Sequence, residues 1–592
     1  MHVNLKSKCD IMRKQLLLLF ILFISISLHA QYFSKITDGP VVTAISDSRS
    51  CNWIDFDNDG WPDIQITNGN EAGDDNMLFK NNGDGTFSQI GSGAIVNDNK
   101  PSDGATWGDY DNDGDADCFV VNWYGIDNLF YENNGDGTFT QILDENFVSD
   151  GGHSETASWG DYNNDGFLDL CVTNSGGTLK NFLYQNNGDK TFTKITGGAI
   201  ANDAFTSRSV NWVDFNNDGN IDLFVSNEAG ENENLYQNNG DATFTKITTG
   251  ALVNDHGKTM SSSWGDIDND GDQDVFLAND QGDDALFRNE GDGVFTKLTD
   301  DIICNNGGNS FGSNFADIDN DGDLDLFVTN SFWGSEWNNF LYINNGDGTF
   351  TQNTTDVTTT DFGWSYGNAF GDYDKDGDMD LVVANCYNEG QASSLYKNET
   401  TGNNWIVIDC EGVISNRSAI GAKIKVKSII NGNPVWQMRE ISAQTGYCGQ
   451  NMLPVHFGLG NTEIIDSIII SWPSGITDLF ADVAVNQYKN VLEGEASSSV
   501  QDNFISGVSI SPNPANGIIH LLFSLQSASQ LNIRIYDLAG NKIFNLSDSV
   551  YAAGKQTIEI IPDNHLKMAS GTYIIYLKTE HEIIAQKFIF TK

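Results

Sequence analysis

The stretch "DIDNDGDLDLFVTN", residues 317–330, crowds five aspartates into nine residues and then turns apolar at Leu326, Phe327 and Val328. Counted from Asp317, carboxylates stand at positions 1, 3, 5 and 9 (Asp317, Asp319, Asp321 and Asp325), with Gly322 at position 6. Hard divalent cations such as calcium take roughly six to eight oxygens, from carboxylates at alternate loop positions together with a backbone carbonyl and water. Asp323 at position 7 would lend the carbonyl, and glycine at position 6 lets the loop turn sharply through positive φ. An ordinary acidic turn needs one or two Asp or Asn residues, not carboxylates at four fixed offsets. The line predicts a calcium loop that runs directly into a buried strand.

Nearly the same line begins at Trp53, Trp107, Trp159, Trp212, Trp264, Phe315 and Phe370, and its first aspartates recur every 51 to 55 residues. The candidate metal ligands are Asp55, Asp57, Asp59 and Asp63; Asp109, Asp111, Asp113 and Asp117; Asp161, Asn163, Asp165 and Asp169; Asp214, Asn216, Asp218 and Asp222; Asp266, Asp268, Asp270 and Asp274; Asp317, Asp319, Asp321 and Asp325; and Asp372, Asp374, Asp376 and Asp380. Asn163 and Asn216 keep an oxygen but give up a charge. A helix-flanked EF-hand loop needs a bidentate glutamate at position 12. That place is held by Ile66, Val120, Val172, Val225, Leu277, Val328 and Val383, so the cage closes at position 9 and joins two strands. The expected cofactor is Ca2+, about one ion per repeat, in a structural role. At ~1 mM calcium and a site of ~0.1 mM, each ion stabilises by about 1.4 kcal/mol.

Each line is followed by "NNGDGTF" or a variant of it, beginning at Asn81, Asn133, Asn186, Asn238, Asn289 and Asn344. Each unit holds four short strands separated by Gly- and Asn-rich turns, and Tyr32–Ile36 is read as supplying the first unit's leading strand. Four-stranded units of this length predict an all-β fold, a seven-bladed calcium-binding β-propeller rather than a straight solenoid. The recurring aromatic two places before position 1 is expected to pack between neighbouring blades.

The 592-residue chain carries 31 basic and 82 acidic residues, a net charge of -51, which argues against nucleic acid and anionic membranes as partners. Apolar residues make up 39% and are patterned, which argues against disorder. Basic residues followed by the apolar run Leu16–Leu28 predict a signal peptide over residues 1–30, cleaved after Ala30, and no later stretch has transmembrane length. Cys118, Cys171 and Cys386 read as buried thiols, whereas Cys410 and Cys448 share one later domain and could pair.

The units resemble the VCBS/FG-GAP repeat family, whose seven-bladed propellers occur in integrin α heads and bacterial surface proteins; the resemblance covers residues 31–402. Residues 403–494 form a small β-rich domain in which "SNRSAIGA" from Ser415, "HFGLG" from His456 and "WPSG" from Trp472 resemble the ASPIC/UnbV domain. Structural roles are expected for Arg417 and His456. A Ser-rich linker spans 495–507. Residues 508–592 alternate strands and turns as a β-sandwich. There the Pro512–Pro514 element, "YDLAGNKI" and "SGTYIIYL" resemble the type A C-terminal sorting domain of the type IX secretion system of Bacteroidota. That resemblance implies the type IX machinery as a partner and a secreted or outer-membrane-attached location.

The expected function is adhesion or binding of a glycan or protein ligand. The alternative is a calcium-stabilised polysaccharide lyase or glycosidase. The repeats offer only His153 and His256 as histidine bases, in different units, and no nucleophile–base spacing, so no catalytic residue is assigned. Candidate ligand residues are those on non-repeating loops: Trp123 and Tyr124, Trp333 and Trp337, and Tyr387.

Overall fold

A computed structural model describes residues 31–143, 147–331, 337–386, 391–496 and most of 505–591. The predicted signal peptide, Trp333, Tyr387 and linker residues 497–504 lie outside the described residues. The chain forms two compact units, Met1–Glu495 and Ala496–Lys592. The second holds two antiparallel sheets around a core that includes Leu521, Phe523, Ile533, Ile575 and Phe588.

Seven repeated antiparallel sheets make up the repeat region among the described residues. In the sixth, Ser310–Ala316, Asp325–Asn330, Phe340–Asn344 and Phe350–Gln352 pair in that order. The aspartate loop joins the first strand to the second. Position-12 side chains such as Val328 and Leu277 are fully buried in the second strand, as a strand-joining cage requires. The first strands pack side by side around an axis, and Ser365–Gly371 of the last sheet returns to pack on Ser48–Ile54 of the first. This is the propeller arrangement.

One strand is placed differently from the sequence reading. Phe33–Lys35 does not serve the first unit but pairs with Ser394–Asn398 as the outer strand of the last sheet. Every "TFTKI"-like strand is thus the fourth strand of the preceding sheet, and the N-terminal strand supplies the one that the last sheet lacks. Closing a ring by mixing its two ends removes an open sheet edge.

Trp53, Trp107 and Trp159 are fully buried. Their indole N–H groups reach into the preceding sheet, Trp53 to the Ala369 carbonyl (3.1 Å) and Trp107 to Gln65 Oε1 (2.7 Å). Packing between neighbouring blades is where they sit. All seven described cysteines, including Cys410 and Cys448, are buried free thiols.

Residues 403–494 are not a separate body but dock on the ring. Asn404–Glu411 is flanked by Val455–Gly460 and Tyr488–Leu492 in one sheet, and Asn433–Glu440, Lys423–Ile430, Ile464–Ser471 and Thr477–Ala484 form the other. Between them, residues 442–452 enter the axis of the ring. Gly449 and Gln450 pair in parallel with Cys51 and Asn52 of the first inner strand. Asn211 Nδ2 donates to the Gln444 carbonyl at 2.8 Å, and Gln450 accepts from the Trp107 amide at 2.8 Å. The fit needs glycines on both sides: a Cβ on Gly446 would lie 2.1 Å from the Ser313 carbonyl oxygen, and one on Gly367 would lie 2.1 Å from that of Cys448. Gly367→Ala is therefore expected to displace the segment and to lower stability by about 1–3 kcal/mol, read as a lower urea midpoint with new protease cleavage within 442–452. An unchanged midpoint and cleavage pattern would contradict this packing.

Candidate metal loops and axial pocket

Each aspartate loop is organised by its own backbone. In the sixth, the amides of Asp321 and Gly322 donate to the two oxygens of Asp317 at 3.1 and 2.9 Å, and the Asp323 amide donates to Asp321 at 3.0 Å. Gly322 has φ 102, the positive value expected at position 6, and Asn320 at position 4 is also left-handed at φ 59, a conformation Asn tolerates better than most residues.

In five loops the carboxylates of positions 1, 3 and 9 bring oxygens within 4.8 Å of one another: Asp55, Asp57 and Asp63; Asp109, Asp111 and Asp117; Asp266, Asp268 and Asp274; Asp317, Asp319 and Asp325; and Asp372, Asp374 and Asp380. Position 5 (Asp59, Asp113, Asp270, Asp321 and Asp376 in these loops) directs one oxygen to the amide of position 7. In the third and fourth loops Asn163 and Asn216 accept from the amides of Asp165 and Asp218 at 3.0 and 2.9 Å, beside Asp161 with Asp169 and Asp214 with Asp222.

The donor set fits a divalent cation. One oxygen each of Asp57, Asp268, Asp319 and Asp374, all at position 3, is buried without a hydrogen-bond partner. Burial pushes the position-9 carboxyls up, Asp63, Asp222 and Asp274 to about 8 and Asp117 to about 9, despite the backbone amides each accepts. A cation among them offsets that desolvation and the mutual repulsion of the carboxylates.

Position 9 also ties the sheets together. Asp325 Oδ1 accepts from the Asn344 amide at 2.8 Å, and Asn344 Nδ2 donates to the Ile267 carbonyl of the preceding sheet at 2.8 Å. The same pair of bonds recurs at Asn81, Asn133, Asn186, Asn238, Asn289 and Asn398. Neighbouring loops touch as well: Asn58, Asn112, Asn217, Asn269 and Asn320 donate to the position-6 carbonyl of the next loop.

The docked domain covers this loop face. Its Gly458 amide donates to Asp317 Oδ2 (3.0 Å), its Tyr488 hydroxyl to Asp372 Oδ2 (2.8 Å) and its Lys423 ammonium to Asp214 Oδ2 (2.8 Å). His456 is buried with Nε2 3.1 Å from the Gly377 carbonyl oxygen, and the Arg417 amide donates to Asn112. The motifs around Arg417 and His456 are thus docking elements for the loops.

At the other end of the inner strands lies a cavity of about 260 Å³. One position in every sheet lines it, the sixth before the first aspartate: Arg49, Asp103, Glu155, Arg208, Met260, Phe311 and Tyr366. Each follows a Ser or Thr and precedes a Gly, Ser or Thr. A register shift in each strand falls at this place, and such bulges re-aim side chains. The sequence reading passed over this position, because it varies inside a frame that repeats. The signal was there in the constant small neighbours around one changing residue.

The axial segment 442–452, a plug in the ring, meets these side chains from the loop side. The Tyr447 hydroxyl lies 2.6 Å from Glu155 Oε2, 3.2 Å from Asp103 Oδ2 and 3.2 Å from the Tyr366 hydroxyl. Arg208 Nη1 stands 2.6 Å from Glu155 Oε2. Burial alone would raise Glu155, but Arg208, with hydrogen bonds from Asp103, Ser175 and Tyr447, holds it below the usual carboxylate range. Burial and the Glu155 charge push Asp103 well up, against Arg49 and Arg208. Of the candidate ligand residues, Trp123 and Tyr124 line the cavity. Trp337 is half-buried, and its residue bridges Gly363.

Residues 55–120, 117–172, 161–225, 214–277, 266–328 and 331–383 match the FG-GAP-like repeat. Residues 412–498 match ASPIC and UnbV, and residues 509–591 the secretion system C-terminal sorting domain. Cartilage acidic protein 1 of Xenopus tropicalis is 28% identical over 299 residues, 47% of this chain and 42% of that protein. The Homo sapiens protein is 27% identical over 293 residues, 46% and 41% of the two chains. The chain thus spans less than half the length of the curated relatives it matches.

Among solved structures, a protein from Lactobacillus plantarum (14% identity, TM-score 0.36) covers 52% of this chain and 84% of its own. The SapL1 lectin in complex with alpha methyl fucoside (10% identity, TM-score 0.31) covers 53% and 97%. The sorting domain makes this a secreted or cell-surface β-propeller protein and points to the type IX secretion machinery. No helix among the described residues is long and apolar enough to cross a membrane. With its repeats matched over more than half of its length, the chain belongs to the FG-GAP-like repeat family.

Proposed function

We propose that the protein is a calcium-stabilised binding module of the cell exterior that holds a glycan or protein ligand in adhesion. The observation that carries the calcium part is the set of buried position-3 oxygens of Asp57, Asp268, Asp319 and Asp374, which lack any hydrogen-bond partner. Calcium, when bound, supplies positive charge; Lys80 already pairs with Asp57 and Asp59, and Lys397 with Asp374 and Asp376, whereas Asp268 and Asp319 have no ion pair among the described residues. The carboxylates of positions 1, 3, 5 and 9 and the position-7 carbonyl would hold it, with Asn163 and Asn216 making the third and fourth sites weaker in charge. Water-mediated chemistry is not assigned to it, because the carboxylates around it are committed to the cage and to the backbone. An extracellular location suits sites of this class, which are filled at about millimolar calcium.

Removal of calcium with a chelator is expected to cost about 1.4 kcal/mol per site and on the order of 10 kcal/mol for seven. The readouts are a lower melting temperature and faster proteolysis of residues 31–495, both restored by calcium. Unchanged melting and proteolysis on chelation would reject a structural role. Asp319→Asn is expected to weaken calcium binding in titration calorimetry, whereas Asn163→Asp should strengthen it. On a glycan array run with and without calcium, binding without release of unsaturated sugar products is expected. Formation of such products would replace the binding reading with a lyase.

A further inference from the structure

We propose that the axial cavity is a binding site for a small organic ammonium ion. The charges there are not needed to build the ring. At the same strand position the first four sheets place Arg49, Asp103, Glu155 and Arg208, whereas the last three place Met260, Phe311 and Tyr366 and close equally well. Buried ion pairs seldom add stability over well-packed apolar residues. A cluster confined to one side of a cavity therefore calls for a ligand.

The charge balance selects a cation. Arg208 is already shared between Glu155 and Glu228, with Nε 2.8 Å from Glu228 Oε2 and Nη1 2.6 Å from Glu155 Oε2. The guanidinium of Arg49 lies 4.9 Å from the Tyr366 ring centre. Glu155 Oε1 accepts from the Trp123 indole at 2.7 Å. Asp280 also lines the cavity, and among the described residues its carboxylate has neither a hydrogen bond nor an ion pair. Burial and the nearby Glu228 charge raise its carboxyl above the usual range, against the attraction of Lys258 and Arg208; four acids (Asp103, Glu155, Glu228 and Asp280) thus line the cavity against two guanidiniums (Arg49 and Arg208).

The walls specify the kind of cation. Trp123, Tyr124, Phe311, Trp364 and Tyr366 line the same cavity with aromatic rings. Ring faces attract alkylammonium groups, whereas a bare metal ion requires oxygens. Tyr124 is held at φ 60 and is 39% exposed. A bulky residue in that region is strained. Its ring meets Trp123 edge-on at 4.6 Å, so the strain sets an aromatic pair at the rim. The cavity, at about 260 Å³, is slightly below the usual range for drug-sized ligands and suits one short side chain or head group.

The test uses the full chain in calcium-containing buffer, with titration calorimetry and thermal shift. The probes are choline, butylammonium, Nα-acetyl-lysine amide, the uncharged choline isostere 3,3-dimethylbutanol, and a panel of methyl glycosides. The ammonium probes are expected to bind at least about tenfold tighter than dimethylbutanol. Asp280→Asn should abolish that preference, and Tyr124→Ala at the rim should weaken binding without altering calcium-dependent melting. Tighter binding of the lysine amide than of choline would make the natural source a protein side chain, and the reverse order would make it a free amine; both support the site. Equal binding of dimethylbutanol, preferential binding of a glycoside at the cavity, or no binding of any ammonium probe would overturn it. Because calcium-dependent melting is measured separately, failure here is distinguishable from failure of the calcium reading.

Discussion

The repeat depends on one buried carboxylate. The position-9 aspartate stands at the start of the second strand and receives the amide of the third-strand asparagine, and that asparagine in turn donates to the preceding sheet. Loop, sheet and neighbour are thereby joined through two side chains. Since the carboxylate is fully buried, as Asp325 and Asp380 are, its charge must be met by fixed amides and by whatever occupies the loop. The acidity of the chain is thus concentrated where it organises structure, and the strand that follows is apolar because it is the centre of the blade.

The two ends of the inner strands do different work. On the loop face, geometry is repeated, and the docked domain of residues 403–494 caps it with groups aimed at the position-1 aspartates. On the opposite face the same frame carries six different kinds of side chain at its seven positions. The plug at Tyr447 links the faces, since it is anchored among the inner strands by backbone pairing and ends in the ionic cluster of Glu155, Asp103 and Arg208. The docked domain is therefore part of the site's construction.

Much of this was legible in the sequence. The spacing of aspartates and the apolar position 12 gave the strand–loop–strand unit, and the recurrent tryptophan gave the packing between blades. Local patterns could not say that Phe33–Lys35 belongs to the last sheet, because ring closure is decided between the ends of the chain. Nor did they give the axial position. Attention to loops that fail to repeat led to Trp123 and Tyr124, which do reach the cavity, but missed Arg49 to Tyr366, whose variation is hidden within a constant Ser/Thr and small-residue frame. Tyr447 sits in "GYCG", and those flanking glycines mark a chain that must pass close to other backbones.

The asparagines that bridge neighbouring loops carry a thermodynamic consequence. They connect the first three loops to one another and the last four to one another. Asn164 at the third junction makes no such bond among the described residues. At the last junction Lys375 replaces asparagine and lies over the rings of Trp61 and Tyr488 at 5.1 and 4.8 Å. A loop that is ordered holds its neighbour's backbone in place, and such help is reciprocal. Any coupling that these bonds carry between loops runs along two separate arcs rather than around a full circle, with two seams where one loop's order is not passed to the next by this route.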